Sequence, residues 1–178
     1  MKPGMLILLM AVGAFAEQPS YEKDGQLQRP VNYREWIYLS TGLGMQYSSD
    51  QAGTEFTNVF AEPTAYREFL KMGKWPEGTM LAMEVRRSQT EGSINKAGRF
   101  QTALTGVEVT VKDSKRFPQD GWDYFVFGGD AKTAKAIGQP GGCNACHNKN
   151  GAVENTFVQF YPTLLEVARA KGTLKPGH

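Results

Sequence analysis

The sequence predicts an α+β fold that is mainly β, in which an antiparallel sheet carries a few short flanking helices. Three runs are typical of strands, at residues 79–86, 106–111 and 122–127, and the second alternates strictly between apolar and polar side chains. Pro63 and Pro162 each begin a short helical pattern. Long segments with a 3.6-residue period are missing from the sequence, which excludes a four-helix bundle.

The helices are predicted from the residues at their two ends. Asn32 as an N-cap, with Glu35 three residues later, forms a capping-box pattern and predicts a helix over residues 33–39. The two proline-initiated helices stop at Gly73 and Gly172, the residue type that most often ends a helix.

The chain of 178 residues is long enough for one domain with a proper core. Its beginning is typical of a signal peptide, because an apolar run at residues 5–16 follows Lys2 and ends in Ala-Phe-Ala. We expect residues 1–16 to be cleaved before Glu17, leaving residues 17–178 as one exported domain in the periplasm. The apolar run is shorter than the roughly 18 residues that a membrane-spanning helix needs, so stable membrane insertion is not expected.

The charge balance does not favour a polyanionic partner. The full chain has 20 Lys and Arg against 18 Asp and Glu, a net charge of +2 that falls to +1 when Lys2 is removed with the signal peptide. Basic residues are scattered along the sequence rather than gathered on one helix or stripe. Nucleic-acid binding is therefore not expected.

Both cysteines and one of the two histidines fall within five consecutive residues, CNACH. Cys-x-x-Cys-His is the attachment motif of c-type haem. Cys143 and Cys146 are spaced to add across the two vinyl groups of a haem, and His147 is placed to be the proximal iron ligand. The motif predicts one covalent haem c, and it agrees with export, since this haem is attached outside the bacterial cytoplasm.

Two other interpretations of the cysteine pair are weaker. A structural zinc site needs four ligands, but the sequence has no further cysteine and its other histidine, His178, is the last residue. A thioredoxin-like redox pair would open a helix after a central strand, whereas the glycine-rich residues 138–142 predict a loop before the motif.

The second axial ligand of such a haem would have to come from upstream in the chain. No methionine follows His147, and His178 lies on a terminal tail. The methionines beyond the signal peptide are at positions 45, 72, 80 and 83.

Six stretches in order cover almost the whole mature chain: NYREW (32–36), EPTAY (62–66), GT (78–79), GVEVTVKDSKRF (106–117), CNACH (143–147) and FVQFYPTL (157–164). Together they resemble the cytochrome P-460 and cytochrome c′-beta family of mono-haem c-type proteins. The resemblance implies a haem on one face of an antiparallel sheet, a five-coordinate iron, a small distal pocket and a homodimer.

Two distal positions of the family can be placed by counting along these stretches. The lysine that cross-links the haem in cytochromes P-460 corresponds to Met83, which is followed by Glu84. Met83 is either an apolar wall of the pocket or a thioether ligand that closes the iron. The distal carboxylate of the family corresponds to Glu108, which the resemblance makes a proton relay whose pKa is raised by burial. From spacing alone, Glu108 is more typical of a solvated residue on the polar face of a sheet.

The resemblance therefore implies a periplasmic cytochrome that binds nitric oxide or a related small nitrogen species at an open iron, with a separate redox partner protein. Redox conversion of the bound species would be a further step at the same iron. One alternative is an electron-transfer cytochrome in which His147 and Met83 both ligate the iron. A second alternative is a hydroxylamine-oxidising enzyme of the P-460 type, which would need a cross-link from an unmatched residue.

Overall fold

The computed structural model of the protein describes residues 17–45, 54–138 and 141–178. The predicted signal peptide, residues 1–16, lies outside them. The described part contains the following strands and helices in chain order: β1 Leu27–Gln28, β2 Ile37–Leu43, β3 Glu55–Ala61, α1 Pro63–Met72, β4 Met80–Gln89, β5 Phe100–Lys112, β6 Trp122–Gly128, β7 Thr133–Ala134, α2 Gly142–Asn150 and α3 Pro162–Lys171.

The main sheet has five strands in the order β2-β3-β4-β5-β6, so each strand pairs with its neighbours in the sequence. Every pairing is antiparallel. A second, two-stranded sheet joins β1 to β7. The prediction of a mainly β fold with an antiparallel sheet and short helices is confirmed.

The two faces of the main sheet are both covered in part by apolar residues. On one face, Val107, Val109 and Val111 are at most 1% exposed and pack against the segment that precedes β2. On the other face, Leu81 and Trp122 pack against α1 and α3. Burying one such side chain contributes roughly 1.5–3 kcal/mol to folding.

The two proline-initiated helices form where the sequence predicts them. Pro63 and Pro162 occupy the first turns of α1 and α3, where the missing amide hydrogen costs nothing. Glu62 caps α1 by accepting a 2.8 Å hydrogen bond from the amide of Ala65. Gly73 and Gly172 end the helices in the left-handed conformation, at φ of 70° and 64°.

The helix predicted over residues 33–39 is wrong. Only Tyr33–Glu35 turns, as a single 3-10 turn, and the Asn32 side chain makes no capping bond. The chain becomes extended at Trp36 and continues as β2, whose backbone pairs with β3. Pairing across the sheet outweighs the local capping pattern, because β2 would otherwise leave its backbone groups and those of β3 without partners.

The three predicted strands are present, and each extends beyond the predicted run. The run at 79–86 corresponds to β4, which begins one residue later at Met80 and continues to Gln89, and the run at 106–111 lies within β5, which begins at Phe100. The run at 122–127 lies within β6, which ends one residue later at Gly128. Within the residues described, no helix is long and apolar enough to cross a membrane.

Candidate haem site

The Cys-x-x-Cys-His motif lies at the beginning of α2 rather than in a loop. Gly141 is the N-cap residue, and Cys143 and Cys146 follow on the first turns of the helix, three residues apart. This spacing places both thiols on the same side of α2. Both cysteines are free and half-buried, so each thiol is accessible for a covalent bond.

His147 is fixed by one hydrogen bond and two aromatic rings. Its Nδ1 lies 2.9 Å from the backbone oxygen of Asn155, and its ring lies 4.4 Å from the ring of Tyr124 and 4.3 Å from that of Phe157. A carbonyl oxygen only accepts hydrogen bonds, so Nδ1 carries the proton and Nε2 keeps its lone pair for a metal. Burial lowers the pKa of His147, and the bond to Asn155 opposes this in part; the neutral ring is the ligand form.

A glycine lets the chain after α2 return to the histidine. A Cβ on Gly151 would lie 2.7 Å from the backbone oxygen of His147 and 2.8 Å from the amide nitrogen of Thr156. Real Cβ atoms do not approach backbone atoms so closely. Gly151 therefore permits the tight loop that brings Asn155 back against His147.

Met83 and Glu108 share the sheet face that the motif approaches. They are direct partners across β4 and β5, and Glu108 is also the partner of Val126 on β6. Tyr124, two residues before Val126 on the same face, contacts His147. The sheet thus brings both predicted distal residues to the side of the molecule that holds the motif.

Glu108 is a half-buried carboxyl group whose environment favours its protonated form. Burial raises its pKa above the ordinary value of 4.5, and within the described ranges its side chain has no ion pair or hydrogen bond. The pKa of the Cys143 thiol is raised by burial and then by the charge of Glu108, which indicates that the two side chains are near each other. The valines beside Glu108 in the sequence are buried on the opposite face, as the alternation predicts.

The methionines occupy different places relative to this face. Met83 is half-buried on it, whereas Met80 is 1% exposed within the core of the opposite face. Met72 is exposed on α1, and Met45 is exposed beyond the end of β2. Met83 is the methionine placed beside Glu108.

A polar cluster that the sequence did not predict forms hydrogen bonds with the motif and with the loop after it. One oxygen of Asp120 accepts hydrogen bonds from the side chains of Asn144 at 3.0 Å and Asn155 at 2.7 Å. Asn155 presents its backbone oxygen to His147, and a backbone group leaves no signal in the sequence. Asn144 lies between the two cysteines, where the motif leaves the residue type open.

The donor set and the surface fit a haem better than the alternatives. Across the described residues, no group of three or more His, Cys, Asp or Glu side chains is arranged to hold a metal ion. The motif does begin a helix, as a thioredoxin-like redox pair would, but the strand before it is the two-residue β7 rather than a central strand. Beside Glu108 and Val126, a Cβ on Gly128 would meet no heavy atom within 4 Å and one on Gly106 only a carbonyl oxygen at 3.8 Å, so the face offers room for a planar group.

Comparison with known proteins identifies one family. The family described as Cytochrome P460 matches residues 30–158, which include the motif, Met83 and Glu108. A search of curated proteins found no match.

Proposed function

The chain belongs to the cytochrome P460 family, and from this premise we propose that it is an exported mono-haem c-type cytochrome that binds nitric oxide or a related small nitrogen species. A haem-binding cytochrome is the general function of the family. Periplasmic location, a homodimer and a redox partner protein belong to the same proposal. They are supported by the apolar run at residues 5–16 and by the resemblance described above.

Three residues would hold the haem. Cys143 and Cys146 would form its two thioether bonds, and His147 would bind its iron through Nε2, the nitrogen left free by the bond to Asn155. When bound, the haem supplies an iron that can coordinate a small nitrogen species and exchange one electron. Tyr124 and Phe157 both contact the imidazole ring of His147 and would restrain its orientation.

The observation that carries the proposal is the placement of Glu108 beside Met83 on the half-exposed part of the sheet face. A carboxyl group with a raised pKa retains a proton to a higher pH than an ordinary glutamate. Glu108 can therefore donate a hydrogen bond, or a proton, to a nitrogen oxide on this face and accept it back. Met83 supplies an apolar, polarisable neighbour that excludes water.

The electron-transfer alternative is favoured by one observation, the half-buried thioether of Met83 on the same face. The hydroxylamine-oxidising alternative needs a haem cross-link from a residue other than Met83. Lys112 lies on this face, but it donates to the backbone oxygen of Trp75 at 2.7 Å and pairs with Glu154 at 2.6 Å. Lys71 pairs with Glu68 on the exposed side of α1.

Optical spectra of the purified exported protein distinguish the three functions. We expect covalent haem that resists acidic acetone extraction, a high-spin ferrous spectrum, and a shift on addition of nitric oxide or carbon monoxide. A low-spin ferrous iron that does not bind carbon monoxide would overturn the proposal in favour of electron transfer. A strongly red-shifted ferrous Soret band would instead indicate a cross-linked haem and the hydroxylamine-oxidising enzyme.

The covalent attachment is tested separately by replacing each thiol. Cys143→Ala and Cys146→Ala should each leave one thioether, and the double variant should release its haem on extraction. Retention of haem by the double variant would contradict the assignment of these two residues.

A further inference from the structure

The turn before β6 holds a carboxylate that connects three parts of the proximal side. Oδ1 of Asp120 accepts a 3.0 Å hydrogen bond from the amide of Trp122, a residue 1% exposed at the start of β6. Its Oδ2 accepts from Asn144 on α2 and from Asn155 in the loop after α2. The rigid sheet, the attachment helix and the loop are therefore joined at one side chain.

The two asparagines that contact Asp120 are each only 5% exposed. Their amide groups are poorly accessible to water, so each would lose a partner if the carboxylate were removed. The bonds are charge-assisted, and such bonds are about twice as strong as those between neutral groups. Asp120 thus accounts for the otherwise costly burial of Asn144 inside the motif.

Asn155 connects Asp120 to His147, the proposed iron ligand. Its side chain donates to Asp120 at 2.7 Å, while its backbone oxygen accepts from Nδ1 of His147 at 2.9 Å. The direction of that carbonyl therefore depends on the bond to Asp120. Groups that orient a ligating histidine in this way usually fix its ring and raise its basicity.

We propose that Asp120 is a positioning residue for the proximal ligand, acting through Asn155 on His147 and through Asn144 on the attachment helix. The inference rests on the proposed function, because it requires His147 to bind the haem iron. It assigns to Asp120 control of the strength of the iron–histidine bond, and through it of the redox potential of the iron.

The test measures the midpoint potential and the iron–histidine stretching frequency, not turnover, in the haem-loaded protein. Asp120→Asn should weaken the Nδ1 hydrogen bond, lower the stretching frequency, and favour the ferrous state by about tenfold, which equals about 59 mV for one electron. Asn155→Ala keeps the backbone oxygen but loses the bond to Asp120, and it should give the same shifts. It also serves as the test if Asp120→Asn does not fold.

Two comparisons separate positioning from a simple change of charge. Asp123→Asn removes a buried carboxylate on β6, three residues after Asp120, that accepts from the amides of Tyr124 and Gly138. Its shift should be smaller. In the Asp120→Asn, Asn155→Ala double variant the shifts should not add.

Equal shifts from Asp120→Asn and Asp123→Asn, or fully additive shifts in the double variant, would overturn the inference. Haem-loaded variants with unchanged potential and frequency would overturn it as well, while leaving the proposed function intact. A wild-type protein that holds no haem would instead overturn the proposed function. The content of haem in each preparation distinguishes these two failures.

Discussion

Met83 and Glu108 are direct partners across two antiparallel strands. Partners of this kind lie roughly 5 Å apart between their Cβ atoms and share one face of the sheet. A substitution at either residue therefore changes the surroundings of the other side chain. The following substitutions test this pair and the structures that support the site.

Replacing Glu108 with glutamine should remove a pH dependence. Burial raises the pKa of Glu108 in the folded protein above 4.5, so stability from its bound proton is complete below pH 4.5 and is lost as the pH rises through the raised value. The side chain of Glu108→Gln does not ionise, so the variant should not lose this stability as the pH rises. Urea unfolding should show a gain in stability over the wild type at pH 7 and none at pH 4, and the pH dependence of nitric oxide dissociation should disappear.

The matched control for Glu108 is Glu166→Gln on α3, whose side chain is 75% exposed. It should change neither the unfolding midpoint nor ligand dissociation. A Glu108→Gln protein less stable than the wild type at pH 7 would show that the carboxylate has a stabilising partner.

Replacing Met83 with leucine should leave the ferrous spectrum and carbon monoxide binding nearly unchanged, because the proposal makes this residue a wall of the pocket. The swap conserves volume and should cost less than about 1.5 kcal/mol. Met80→Leu, on the buried opposite face, is the control for stability alone. Conversion of a low-spin iron to high spin by Met83→Leu, and not by Met80→Leu, would establish the thioether as a ligand.

Glu84, next to Met83 but on the opposite face, should stabilise the fold at neutral pH. Burial would raise its pKa, but hydrogen bonds from Arg86, Tyr33, Asn58 and Arg34 outweigh burial and lower the pKa to about 2. Its contribution is therefore present above pH 4.5 and is lost as the pH falls toward 2. Glu84→Gln should cost about 1–3 kcal/mol at pH 7, measured by urea unfolding, and progressively less in acid.

The surface pair of Glu68 and Lys71 provides the comparison for Glu84. Glu68→Gln should cost less than about 0.5 kcal/mol at any pH. A loss of equal size in both variants would mean that the network around Glu84 adds nothing beyond a surface ion pair.

Gly151→Ala should disturb the proximal side without touching the haem face. The added Cβ would press on the backbone of His147 and Thr156, so we expect a loss of roughly 1–3 kcal/mol and a changed iron–histidine frequency. Gly142→Ala adds a Cβ that meets no atom within 4 Å and should lose no stability. An unchanged frequency in Gly151→Ala would contradict the tight loop described here.

Elements with strong local signals could be predicted from the sequence. Proline and glycine fix the ends of α1 and α3, and alternation identifies the centre of β5, because these effects depend on neighbouring residues alone. The attachment motif is equally local, since both thiols and the imidazole belong to one short stretch. The family match agrees with the resemblance that these stretches carry.

Features that depend on distant pairing could not be predicted in the same way. The capping pattern at Asn32 is a real local signal, but β2 is decided by its backbone pairing with β3. The partnership of Met83 with Glu108 depends on strand register, and the bond from Asn155 to His147 uses a backbone oxygen. These contacts are set by the tertiary fold rather than by residue type.

The contact between His147 and Asn155 spans only eight residues, whereas Met83 and Glu108 come from a hairpin more than thirty positions upstream. In the proposed function, the residues that would attach the cofactor are thus separate in the sequence from those that would face its ligand. Mutations in the β4–β5 hairpin would then change the ligand side and leave the attachment residues in place. This division gives evolution a route to new reactivities on an unchanged attachment unit.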